Sequence, residues 1–136
     1  MKAAMANKSV EAFRRLTVDM QRQVYTDAVT ELDAQALILV TMMKAVVKHG
    51  PTGHLANSIR KQPGKTPTVV RVMAGGAATT EGRGSKSYDY ARAVEFGTMH
   101  VHAQPFFFPT FRLMRKRMRS SMRRKITKTI ERYSAG

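Results

Sequence analysis

The first third of the chain repeats apolar residues with the period of an α-helix. From about residue 9 to residue 48 there is no proline or glycine, and apolar side chains recur at steps of three and four. This spacing places them on one helical face. Forty helical residues would span roughly 60 Å, which is long for a small domain. We therefore expect either a break near residues 25–33 or a helix that packs partly on another subunit. The apolar stripe consists of Phe13, Leu16, Met20, Val24, Ala28, Leu32, Ala36, Leu39, Met43 and Val46.

The middle of the chain predicts short elements separated by turn residues. The sequence HGP at 49–51 marks the end of the long helix, because glycine and proline commonly follow helix ends. Thr52 is expected to cap a short helical turn in which Leu55 and Ile59 face inward. Residues 66–76 are rich in β-branched side chains and alternate, which favours a strand. The glycine-rich segment 75–87 is predicted to be a flexible loop joining two strands of a hairpin, and residues 88–97 return as a strand or short helix.

A second helical stripe follows Pro109, which suits the first turn of a helix. The patterns together predict an α+β fold in a single domain spanning residues 1–136. It comprises a long N-terminal helix, a small antiparallel sheet with a glycine-rich hairpin loop, and a basic C-terminal helix. The second stripe consists of Phe111, Met114, Met118, Met122, Ile126, Ile130 and Tyr133.

Charge distinguishes the C-terminal helix from the rest of the chain. The formal net charge is +15 over 136 residues, and residues 112–136 contain ten basic residues against one acid. Repulsion at this density destabilises an isolated helix, so a partner of opposite sign is expected. DNA phosphates and an acidic protein surface both fit that requirement. The basic residues predicted to make the contact are Arg112, Arg115, Lys116, Arg117, Arg119, Arg123, Arg124, Lys125, Lys128 and Arg132.

Composition also narrows the chemistry. The chain has no cysteine, which excludes disulfides, thiolate metal sites and cysteine nucleophiles. No apolar run reaches the roughly 18 residues needed to span a bilayer. Residues 1–15 lack the apolar core of a signal peptide. A membrane partner is therefore not expected.

The titratable residues do not assemble into a catalytic constellation. Only four acids follow residue 48, so paired-carboxylate and two-metal sites are poorly supported. His100 and His102 have a spacing that metals use, but no third ligand is suggested. Glu95 is interpreted as structural, forming an ion pair or backbone hydrogen bond at a turn, in preference to a buried general base. The chain is therefore predicted not to be an enzyme, and no cofactor or metal is expected.

Three consecutive phenylalanines lie between two prolines. A segment with only apolar side chains cannot present one polar face, so Phe106, Phe107 and Phe108 are expected to bury both faces. One face would pack on the chain's own core and the other on a neighbouring subunit. Each phenylalanine left in water instead of being buried costs roughly 1.5–3 kcal/mol. This segment therefore indicates self-association.

The residues around the phenylalanines form two ordered motifs. The first reads Tyr-Ala, then Val-Glu-Phe-Gly-Thr, a short gap, Gln-Pro-Phe, and a second proline that opens the last helix. Its residues are Tyr90, Ala91, Val94, Glu95, Phe96, Gly97, Thr98, Gln104, Pro105, Phe106 and Pro109. The second reads Thr-Gly-x-Leu and then Ser-Ile, at Thr52, Gly53, Leu55, Ser58 and Ile59. In this order the motifs resemble the gene-ten-like tail-completion and head–tail joining proteins of long-tailed bacteriophages. Thr110 and Phe111 depart from the alanine and leucine that this family often has after the second proline.

The resemblance implies a structural virion protein that forms a ring at the head–tail interface, as a tail-completion, tail-terminator or connector protein. Its partners would be further copies of itself, in a ring of six-fold or twelve-fold symmetry, the neighbouring neck and tail-tube proteins, and genomic DNA bound without sequence preference. Its location would be the virion, after assembly in the host cytoplasm. The alternative is a free-standing basic protein that binds DNA independently of sequence, although no recognised DNA-binding motif supports it.

Overall fold

The computed structural model describes residues 2–47 and 53–135, and it has the predicted α+β class. Single-turn 3₁₀ segments cover Ala77–Thr79 and Gly84–Lys86. The predicted helix stop at 49–51 and the predicted cap at Thr52 lie outside the described residues. The elements in chain order are α1 (Lys2–Val46), α2 (His54–Ser58), β1 (Arg60–Pro63), β2 (Val70–Met73), β3 (Thr80–Glu81), β4 (Tyr88–Asp89), α3 (Tyr90–Phe96) and α4 (Phe108–Ser134).

The long helix α1 is unbroken over 45 residues, which at 1.5 Å per residue is roughly 68 Å. The alternative of a break near residues 25–33 is therefore wrong, and the helix begins earlier than residue 9. No proline or glycine interrupts it, so every backbone N–H after the first turn can find a carbonyl one turn earlier. A helix of this length extends well past the rest of the domain.

Helix α4 runs antiparallel to the C-terminal half of α1. Thr129 near the end of α4 donates a hydrogen bond to Asp27, whereas Ser121, two turns earlier, donates to Glu31 at 2.7 Å. Gln35 donates to both Glu31 and Ser121, at 2.7 and 3.1 Å. We call this set the polar seam: Asp27, Glu31 and Gln35 of α1 with Ser121, Thr129 and Arg132 of α4.

The apolar core lies beside the polar seam, where both helices meet α2, α3 and the phenylalanine segment. The predicted stripes are only partly buried. Val46 is exposed whereas Val47 is buried, and in α4 the stripe residues Phe111 and Ile130 are exposed. Thr110 and Thr129 are buried instead, and the hydroxyl group of Thr129 donates to Asp27 and to the Lys125 carbonyl. The core consists of Leu39, Val40, Met43, Val47, Leu55, Ala56, Ile59, Ala91, Phe106 and Met114.

The strands form two separate two-stranded antiparallel sheets instead of the single sheet that was predicted. Strand β1 pairs with β2, with Arg60 opposite Met73 and Pro63 opposite Val70. Strand β3 pairs with β4, with Thr80 opposite Asp89. The glycine-rich segment 75–87 therefore does not join β2 to its partner strand. It contains β3 and both 3₁₀ segments, and residues 88–97 supply β4 and then helix α3.

Candidate functional site

The carboxylate of Glu95 lies buried at the beginning of α4. One oxygen, Oε2, accepts hydrogen bonds from the backbone N–H groups of Phe106 and Phe107 at 2.8 and 2.9 Å. The other, Oε1, accepts from Phe108 N–H at 3.0 Å. The first N–H groups of a helix have no carbonyl partner within the helix, and negative charge is favourable at that end. The predicted backbone hydrogen bond of Glu95 is thus confirmed.

The two prolines explain why the single carboxylate of Glu95 can accept every backbone N–H of the phenylalanine segment. Pro105 and Pro109 have no N–H, so the three phenylalanines between them carry every N–H of the segment. Pro109 occupies the first turn of α4, as expected from the sequence. Glu95 therefore accepts all three N–H groups between the prolines and fixes the point from which α4 leaves the core.

A tight turn after α3 brings the chain back to Glu95. Gly97 has φ 76°, and a Cβ there would lie 2.9 Å from the Ala103 nitrogen and 3.1 Å from the Val101 oxygen. The Oγ1 of Thr98 accepts hydrogen bonds from the N–H groups of His100 and Val101, at 3.2 and 3.1 Å. Residues 97–103 therefore form a closed turn in which only glycine fits at position 97.

Two further backbone bonds close this loop against α3. Gly97 N–H donates to the Ala93 carbonyl at 2.8 Å, and Gln104 N–H donates to the Val94 carbonyl at 2.7 Å. Of the sequence-predicted turn residues, Glu95, Gly97, Thr98, Pro105 and Pro109 lie together in this connection. Tyr90, at the start of α3, packs against the core, whereas Phe96 is exposed.

Asp89 has a capping role that the sequence reasoning missed. Its Oδ1 accepts hydrogen bonds from Ala91 N–H at 3.0 Å and Thr79 Oγ1 at 2.6 Å, and its Oδ2 accepts from Gly76 N–H at 2.9 Å. Burial alone would raise the pKa of Asp89, but the bonds from Thr79, Ala91 and Gly76 outweigh it and lower that pKa. An aspartate directly before a short helix is a recognisable N-cap signal. No sequence feature near Asp89 indicated its contacts with Gly76 and Thr79.

The three phenylalanines have very different environments. Phe106 is buried at 2% exposure and Phe107 is half-buried, but Phe108 is 45% exposed. Packing of one face of the segment on the chain's own core is seen at Phe106, and the face that carries Phe108 is uncovered in the single chain. The segment enters a helix, so successive side chains turn by about 100° instead of alternating. The Phe108 ring lies 6.0 Å from Phe96, which is also exposed. Contact between this segment and another subunit stays a prediction.

All ten basic residues of α4 are exposed. Four of them, at 112, 116, 119 and 123, follow each other at helical spacing on the side opposite the buried Met114. A second row, at 117, 124 and 128, lies roughly 130° around the helix axis from the first. Among the described residues, only Arg132 of the ten forms an ion pair, with Asp27 at 3.7 Å. The positive charge on these two rows therefore faces solvent.

The acids of the polar seam meet part of the charge of α4. Hydrogen bonds from Thr129 and Gln23 lower the pKa of Asp27, with smaller contributions from the charges of Lys125 and Arg132. Hydrogen bonds from Ser121 and Gln35 lower the pKa of Glu31 in the same way. The polar seam was not predicted, although the sequence places two acids, Asp27 and Glu31, four residues apart beside the apolar stripe.

The two histidines that have metal-like spacing in the sequence lie on the surface. His100 and His102 are exposed on the turn after Gly97. The described residues contain no group of three or more His, Cys, Asp or Glu side chains arranged to hold a metal ion. Within the same part of the chain, no helix is both long enough and apolar enough to cross a membrane.

Comparisons with known proteins found no matching family model, no matching curated protein and no matching solved structure. Inference about function therefore depends on the geometry of these residues and on the resemblance of residues 90–109.

Proposed function

We propose that the chain is a structural protein of the neck of a tailed bacteriophage. Copies of it form a ring at the head–tail interface, as a tail-completion, tail-terminator or connector protein, and line or flank the channel through which DNA leaves. The observation that carries this proposal is the exposed basic surface of α4, held at a fixed angle by the Glu95 turn.

The basic surface suits a polyanion that is recognised without sequence. Its two rows follow the helix axis and consist of arginine and lysine side chains, which can contact phosphates whatever the base sequence. Apart from Arg132, none of the ten side chains has an ion-pair partner among the described residues. A ring of such helices would multiply the positive potential facing its lumen. The acidic rim of a neighbouring ring is the other partner that fits this charge.

The turn motif supports the proposal through its mechanical role. Glu95 binds three consecutive N–H groups and Gly97 permits the reversal, so together they set the direction of α4. A ring protein needs this rigidity, because a small error in helix direction would be repeated in every subunit. The residues that resemble the phage family, within 90–109, are thus those that orient the basic surface.

Labelling tests the proposed location. We expect purified particles to contain the chain, and gold-labelled antibody against it to mark the head–tail joint in electron micrographs. Label on the tail tip or the capsid surface would contradict the proposal. Absence from particles, combined with binding to any duplex DNA, would favour a free-standing DNA-binding protein.

A further inference from the structure

The N-terminal part of α1 extends beyond every other element. The last hydrogen bonds and ion pairs between α1 and α4 join Asp27 to Thr129 and Arg132, and α4 ends at Ser134. We call residues 4–22 of α1 the arm. None of its residues is buried, and at 1.5 Å per residue it is roughly 28 Å long.

One side of the arm is apolar and uncharged. Helical spacing places Met5, Ala12, Phe13, Leu16 and Met20 within an arc of about 100°; we call this the arm stripe. Phe13 is 68% exposed and Met5 is 72% exposed. Contiguous apolar surface of this kind marks an interaction site in soluble proteins.

A second unoccupied apolar surface lies between α1, β2 and α4. This groove has a volume of about 410 Å³, and its floor runs along α1 from the half-buried Leu32 to Met43, which is buried in the core. Val72 of β2 and Phe111 and Met122 of α4 belong to its walls. Arg119 is the only charged residue among the described residues that line it. The floor covers three helical turns, roughly 16 Å, which equals the distance along the arm from Met5 to Leu16.

We propose that the arm of one copy docks in the groove of a second copy. The arm and the groove floor belong to one unbroken helix, so an arm cannot reach the groove of its own chain. One pair of opposite charges fits this occupant, because Asp19 borders the arm stripe and Arg119 borders the groove, whereas the other charged residues of the arm lie off the stripe. Neither has an ion-pair partner among the described residues, and docking would bring the two charges together.

The contact deepens the proposed ring function and rests on it. The arm and the groove are different surfaces, so the contact is head-to-tail. Each subunit can bind one neighbour through its arm and another through its groove. Such contacts generate a closed ring when the rotation between subunits divides a full turn. The arm would therefore be the element that links neighbouring subunits.

Sedimentation of the full chain tests the contact. We expect the wild-type chain to form assemblies larger than a dimer. Phe13→Asp in the arm and Phe111→Asp in the groove should each weaken association at least tenfold, since each removes one buried phenylalanine from the contact. The controls are Val18→Asp, which is off the stripe on the same helix, and Leu113→Asp, which is outside the groove on α4. Both control sites are exposed, and circular dichroism confirms that all variants keep their helices.

Mixing separates this contact from other modes of association. A mixture of the Phe13→Asp and Phe111→Asp variants retains one intact arm and one intact groove, so we expect a heterodimer and nothing larger. Asp19→Arg and Arg119→Asp should each weaken assembly, and combining them in one chain should restore it. Symmetric pairing of arms predicts no heterodimer in the mixture, and that result would overturn the proposal.

Two other results would also overturn it. One is a wild-type chain that stays monomeric at the highest soluble concentration. The other is a ring that survives Phe13→Asp. A ring that survives Phe13→Asp would not contradict the neck function, because the neck function is tested separately by gold-labelled antibody at the head–tail joint. Conversely, arm-in-groove assembly without label at the head–tail joint would refute the neck function alone.

Discussion

At the scale of single residues, Glu95 joins the end of α3 to the start of α4. A lone acid among apolar residues, just before a Gly-Thr pair and two prolines, indicated its structural role in the sequence. Its three N–H partners were not predicted, because they depend on how the chain returns after Gly97. Asp89 was missed for a related reason: Gly76 and Thr79 lie more than nine residues away in sequence.

Replacing Glu95 by glutamine should destabilise the fold without affecting any chemistry. The glutamine side chain keeps one acceptor oxygen but presents an NH₂ group where the second oxygen accepted a bond. We expect a loss of about 1–3 kcal/mol in the free energy of unfolding, measured by denaturant titration. Glu81→Gln is the control, since Glu81 is exposed and its bond with Tyr88 is long at 3.4 Å. Equal stability of the two variants would contradict the capping role.

Gly97→Ala should cost more stability than the same substitution at Gly84. Both glycines have positive φ, 76° and 60°, so alanine is strained at either position. Gly97 also has ψ 172°, a combination that is essentially restricted to glycine. Only at Gly97 does the added Cβ meet backbone atoms, whereas nothing lies within 4 Å of it at Gly84. We expect Gly97→Ala to lower the free energy of unfolding by at least about 1 kcal/mol more than Gly84→Ala. A smaller difference would mean that the turn relaxes around the methyl group.

At the scale of elements, the sequence pattern predicted the two long helices and a strand within residues 66–76, where β2 lies, but it did not predict β1. The period of three and four marks the faces that α4 and the C-terminal half of α1 bury against each other, and it continues through the arm, where no residue is buried. Strand β1, with sequence RKQP, contains no β-branched or aromatic residue, so no pattern indicated it. Its position depends on Arg60, whose Nη1 donates to the carbonyls of Ser58 and Gly75 at 2.8 and 2.7 Å. Such long-range contacts are invisible to a periodicity argument.

The polar seam makes the packing of α4 on α1 sensitive to acid. The pKa values of Asp27 and Glu31 are lowered in the folded chain from ordinary values of 3.8 and 4.5. Their contribution is therefore present above those values and is lost as pH falls through the lower folded values. We expect the free energy of unfolding to decline between pH 5 and pH 3, measured by denaturant titration at each pH.

The matched variant for the pH experiment is Asp27→Asn with Glu31→Gln. It removes both titrating groups of the seam, so its stability should start lower at pH 5 and fall less steeply than that of the wild-type chain. An unchanged pH slope in this variant would assign the acid sensitivity to other carboxylates, such as Asp89.

At the scale of the whole molecule, the account joins a rigid basic helix to a protruding arm. The sequence predicted the charge of α4 and the turn residues that precede it, and contact of α4 with a partner stays a prediction. The sequence did not predict which apolar surfaces would stay uncovered, because that depends on where α4 ends along α1. The proposed ring uses the arm and Arg119 for contact between subunits and leaves the rest of the basic surface for DNA or an acidic ring.

The salt dependence of DNA binding tests the basic surface. For duplex of random sequence, we expect the slope of log affinity against log salt to be about 0.9 per phosphate contacted. Replacing Arg117, Arg123, Arg124 and Lys128 with glutamine should reduce that slope by up to about 3.6, measured by fluorescence anisotropy. The control replaces four basic residues of the arm, Lys8, Arg14, Arg15 and Arg22, and changes the net charge equally. Equal reductions in both variants would indicate binding through net charge alone.

The same four-residue α4 variant distinguishes the two partners inside particles. If α4 contacts DNA, heads and tails should still join while retention or ejection of DNA changes. If α4 contacts an acidic ring, joining itself should fail. A variant that alters neither property would leave the basic surface as a solvated face.

Negative-stain microscopy of particles assembled without the chain tests the central claim most directly. A ring protein of the head–tail interface is required to join two structures that otherwise assemble independently. We therefore expect DNA-filled heads and separate tails in the same preparation, with joining restored when the chain is supplied. Complete particles with tails attached, formed in the absence of the chain, would contradict the account.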